Sequence, residues 1–170
     1  MYPYHYHAKP HTPNNVSIRE NGEINLAELA KDQKFLELLT LAMKETNEME
    51  QRYNRLCHAY PKLASAAPIL KTMMLDERKD KKRLREIYFI ITKKEMPADT
   101  KDRNPQTTEE MDAEKFLEET LLKELDLVNF YGNFLLTIPI FELRDLFFEI
   151  FTDKQSHVGA LNYVYNKNFR

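Results

Sequence analysis

Residues 63–91 read LASAAPILKTMMLDERKDKKRLREIYFII, and the spacing within this stretch decides the fold. Leu63, Leu70, Glu77, Leu84 and Ile91 recur every seven residues, and Ala66, Met73, Asp80 and Ile87 form a second row beside them. Side chains three, four and seven positions apart share one face of an α-helix, so the stretch predicts an amphipathic helix over about 65–93. Its apolar stripe is interrupted at the centre by Glu77 and Asp80, one turn apart. Charged groups are rarely buried unless they are paired or bound to metal, which makes the interruption informative.

The same reading extends in both directions. Phe35, Leu39, Ala42, Thr46, Met49, Tyr53, Leu56 and Tyr60 alternate strides of four and three and predict a helix over about 32–60. Residues 95–108, with Pro97 and Pro105, read as a linker, after which Thr107 or Thr108 offers an N-terminal cap. A third helix is expected over about 109–136, with an inward row of Leu117, Glu124, Tyr131 and Ile138 flanked by Leu121, Val128 and Leu135. After the break at Pro139, a fourth carries Leu143, Phe147, Ile150, Lys154, His157, Leu161 and Val164. Every stripe is interrupted near its middle: by Thr46 in the first, Glu77 and Asp80 in the second, Glu124 in the third, Lys154 and His157 in the fourth. The short connections make two antiparallel hairpins. The fourteen-residue linker, at roughly 3.3 Å per extended residue, suffices to run the length of a bundle. The expected fold is therefore all-α, an antiparallel four-helix bundle with one long crossover between the second and third helices. A weak repeat agrees with this division: Tyr53 precedes Glu77 much as Tyr131 precedes Lys154, and Tyr88 and Tyr165 follow eleven residues after each.

Composition narrows the function. A chain of 170 residues with 42% hydrophobic and 31% charged residues suits one soluble domain, and three glycines supply few tight turns. The net charge of -2, from 27 acidic and 25 basic residues without a basic stripe, argues against a nucleic-acid partner. A single cysteine, Cys57, excludes an intrachain disulfide and a Cys-rich zinc or rubredoxin-type centre. The apolar stretch 130–141 is too short for a membrane span and is broken by Pro139. No secretory leader is evident, so a cytoplasmic protein is expected. Residues 1–24, rich in Tyr, His and Pro, are expected to form a disordered tail ahead of a bundle over 25–170.

The stretches LDERKDKKRLREIYF (75–89), LLKELDLVNFY (121–131) and FTDKQSHVGALNYVY (151–165) resemble the second, third and fourth helices of ferritin-like and rubrerythrin-like proteins. The resemblance implies one glutamate on each of two helices and a Glu-x-x-His pair on each of the other two, surrounding two iron ions. Glu77, Glu124 and His157 match that pattern. Thr46 stands where it calls for a glutamate, Asp80 where it calls for a histidine, and Lys154 where it calls for a second bridging glutamate. An ammonium has no lone pair and repels a cation, so the resemblance implies a degenerate di-iron site. Its metal ligands would be Glu77, Glu124, His157 and Asp80, holding at most one iron, manganese or zinc ion with little or no redox activity. Three carboxylates against one ammonium leave two negative charges, the complement of one divalent cation. A ligand shifted to Glu50, one turn from Thr46, is an alternative contribution from the first helix. The competing expectation is a metal-free structural or interaction protein, such as a coat or assembly component. Under either, Phe148 and Phe151 lie off the inward stripe and suit a homodimer contact.

Overall fold

A computed structural model of the protein describes residues 26–97 and 112–170. The expected tail, most of the linker and the cap at Thr107 or Thr108 lie outside the described residues. Within them every regular element is helical: α1 (Leu26–Leu29), α2 (Gln33–His58), a 3₁₀ turn (Pro61–Ala66), α3 (Ala67–Thr92), α4 (Ala113–Thr137) and α5 (Phe141–Phe169). The long helices α2 to α5 are the four expected from the stripes. Local chemistry sets their ends. Asp32 accepts a hydrogen bond from the Phe35 amide at 3.0 Å and caps α2. Pro68 sits in the first turn of α3, where its missing N–H costs nothing. Lys93 takes the left-handed conformation (φ 57°) that ends α3. Pro139 separates α4 from α5.

Cross-helix contacts fix the arrangement. Asn47 and Glu50 of α2 meet Lys81 and Arg78 of α3, while Glu114, Glu124 and Phe134 of α4 meet Tyr165, His157 and Phe147 of α5. Phe35, Thr46 and Arg55 of α2 meet Phe134, Tyr131 and Phe116 of α4. Glu77 and Arg83 of α3 meet Lys154 and Glu149 of α5. In each set one residue number rises as the other falls, so each long helix is antiparallel to both of its neighbours. Thr92 and Ala113 consequently lie at opposite ends of the assembly.

The inward rows of α2, α3 and α5 are buried as the spacing predicts, apart from the half-buried Tyr60 at the end of the first. The α4 row is correct, but its flank is not. Leu121, Val128 and Leu135 are only partly buried, whereas Thr120, Leu127 and Phe134, three residues after Leu117, Glu124 and Tyr131, are inside. Both flanks are apolar, so spacing alone does not show which side faces α2. Short α1 was not anticipated; one turn is too brief for periodicity, yet it places Leu29 in the core. Among the described residues no helix is long and apolar enough to cross a membrane.

Candidate metal centre

Among the described residues seven polar or charged side chains are buried, Thr46, Glu77, Asp80, Thr120, Glu124, Lys154 and His157, and all but Thr120 stand on the inward stripes read from the sequence. Helical spacing brings three of them together from three helices. One ligand atom each from Glu77 (α3), Glu124 (α4) and His157 (α5) lies within 4.8 Å of the others. His157 Nδ1 is 2.9 Å from Glu124 Oε1 and 3.3 Å from Glu77 Oε1. The second carboxylate oxygens of both glutamates are buried without a hydrogen-bond partner. Orphaned lone pairs of this kind are costly in a protein interior, and a cation would satisfy them. Two carboxylates and an imidazole form a donor set that suits iron, manganese or zinc. The residues therefore fit one such ion.

Without metal the same groups pair with one another. Burial opposes a charged His157 ring, but hydrogen bonds to Asp76, Glu124 and Glu77 outweigh it and push its pKa up to about 11. The resulting imidazolium donates from Nδ1 to Glu124 and from Nε2 to Asp76 Oδ2 at 3.4 Å. Lys154, fully buried, donates to Glu77 and lies 3.8 Å from Asp80. Burial works against its charge too, yet Glu77 and Glu124 hold it above the ordinary lysine range. Asp80 is raised to about 7, chiefly by burial, with Lys154 and Arg83 pulling it back.

No family model, curated protein or solved structure matches the chain. The site therefore rests on its own geometry.

Of the four residues expected as ligands, Glu77, Glu124 and His157 converge, and Asp80 does not join them. It faces Lys154, and its other oxygen accepts from Arg83 at 3.3 Å. Nor does the first helix contribute a shifted ligand: Glu50 pairs with Arg78 and Lys81, while Glu45 and Glu48 pair with Lys123. Thr46 satisfies its hydroxyl on the Ala42 carbonyl at 2.8 Å and meets the Tyr131 hydroxyl at 3.1 Å. Sequence reasoning missed Asp76 and the role of Tyr53. Asp76 directly precedes Glu77, one third exposed at the edge of the stripe, where a charge attracts no notice. Tyr53 counted as apolar core, yet its ring stands edge-on to His157 with centroids 5.6 Å apart.

Proposed function

We propose that the protein is a ferritin-like, rubrerythrin-related four-helix bundle that binds one divalent transition-metal ion through Glu77, Glu124 and His157. The observation that carries this reading is the convergence of three buried ligand atoms from three helices beside two unpartnered carboxylate oxygens. A bound ion would supply Lewis acidity; an ammonium at the adjacent position leaves no partner ion for two-metal redox chemistry. Protein saturated with iron, manganese or zinc and then dialysed is expected to retain at most one ion per chain. His157→Ala is expected to retain none. Two tightly held ions per chain, or full retention by the variant, would refute the reading.

Asp76 is the positioning residue of this site. A histidine ligand is oriented by what its other ring nitrogen donates to, and here that acceptor is the Asp76 carboxylate. Asp76→Ala is expected to weaken metal affinity by about 10–100-fold while leaving the stoichiometry of a saturated sample unchanged. Titration with a competing chelator reads the difference.

A second reading, a metal-free structural or interaction protein, has one observation in its favour: Lys154 and a protonated His157 already balance Glu77 and Glu124. Protein that retains no ion under any loading condition would favour it. A cytoplasmic location belongs to both readings, as does a homodimer through α5, where Phe148 is 57% exposed beside Phe151.

A further inference from the structure

The three converging ligands make up only part of the buried polar cluster. The Lys154 ammonium donates to Glu77 Oε1, the oxygen that also lies 3.3 Å from His157 Nδ1, and it lies 3.8 Å from Asp80 Oδ2; Lys154, Glu77 and Asp80 are all sealed from solvent. Glu77 Oε2 and Asp80 Oδ2 have no hydrogen-bond partner. Arg83 reaches Asp80 from the flank at 3.3 Å but is itself shared with Glu149 and Asp153. Two carboxylates from successive turns of α3 therefore converge on a cation, and the cation they hold is covalently part of α5. We propose that Lys154 is a resident cation filling a second cation position at Glu77 and Asp80, and that it sets the protein's capacity at one divalent ion.

Buried carboxylates this close repel each other unless a positive charge lies between them. A free ion in that position would exchange with solvent, whereas a lysine anchored in a helix cannot be dialysed away. Its charge also repels any divalent ion arriving at the oxygens it already occupies. Once methionine keeps the stem of the side chain and vacates the position of the ammonium, the same oxygens become a hard, oxygen-donor site of the kind that takes manganese.

The inference extends the reading of Glu77, Glu124 and His157 as a metal site, and its test is scored as a gain over the parent protein. Full-length parent, Lys154→Met and Lys154→Met/Asp80→Asn are dialysed against Mn²⁺, and bound manganese and melting temperature are measured. Lys154→Met should retain one more ion per chain than the parent and should be stabilised more strongly by Mn²⁺. Adding Asp80→Asn should abolish that extra ion. Equal retention by parent and Lys154→Met overturns the inference while leaving the single-ion reading standing. A parent that retains none beside a variant that retains one does the reverse. If Lys154→Met does not fold without metal, Lys154→Met/Glu77→Gln serves as the charge-relieved control. Refolding of the single variant by Mn²⁺ then supports the inference, and failure to refold while the control folds overturns it.

Discussion

Replacing Glu77 with glutamine is expected to destabilise the metal-free protein by about 3–5 kcal/mol, the cost of breaking a buried ion pair from one side. Glutamine keeps the shape of the side chain, so packing is nearly unchanged and the loss is electrostatic. Glu77 is the carboxylate to which Lys154 donates, and it lies 3.3 Å from His157 Nδ1. Without its charge, the ammonium faces only Asp80, 3.8 Å away, as its remaining carboxylate contact. Neither cation can turn to solvent, since Lys154 is fully buried and His157 is 3% exposed. Glu77→Gln/Lys154→Met should recover most of the lost stability, because replacing both partners of a buried pair is often close to neutral. The double-mutant cycle would then be strongly non-additive. Urea unfolding at neutral pH with a chelator present measures Glu77→Gln, Lys154→Met and the double variant. A single variant that unfolds at the parent's midpoint would show that the cluster is neither sealed nor charged.

That cluster was legible in the sequence to the extent that helical periodicity can expose it. Glu77, Glu124, Lys154 and His157 interrupt otherwise apolar stripes, and a stripe interrupted by charge marks a buried polar group whatever the tertiary packing. All four are buried as the stripes require. What periodicity cannot supply is the direction of a side chain across the gap between helices. Asp80 sits one turn from Glu77 on the same face, so spacing counts them as equals, yet it turns towards Lys154 and Arg83. The α4 flank failed for a related reason: Leu121 and Leu127 are both apolar, and only the position of α2 decides which is covered. The count of three carboxylates against one ammonium gave His157 no charge; the contribution of Asp76 to its charge depends on a contact between helices far apart in sequence.

The charge on His157 has its own measurable consequence. Raising the pH from 7 to 10 is expected to remove about 4 kcal/mol of stability from the metal-free protein, by linkage over three pH units at roughly 1.4 kcal/mol each. The folded pKa, about 11, lies above the unfolded value of about 6.5, so the folded state binds the extra proton. The stabilisation is complete below pH 6.5 and is lost steadily as pH rises towards 11. Other shifted groups contribute less to the slope in this window; Cys57, raised by burial from 9.0, adds to the loss only above about pH 9. The raised pKa of Asp80, about 7, makes its penalty nearly complete at pH 7 and complete by about pH 8. Lys154, Tyr53 and Tyr131 are all raised from values of 10 or above, so their contributions change beyond pH 10. His157→Gln should remove this part of the pH dependence and leave the rest, so the parent-minus-variant difference isolates the ring. A metal ion on Nδ1 must displace the proton there, so apparent affinity should rise by up to about tenfold per pH unit below the folded pKa. Bound metal should correspondingly flatten the stability profile, because the folded state then holds no extra proton to lose. Metal-free parent and His157→Gln proteins with identical profiles between pH 7 and 10 would mean that the ring is neutral in the fold, and that Asp76 and Glu124 do not hold its proton.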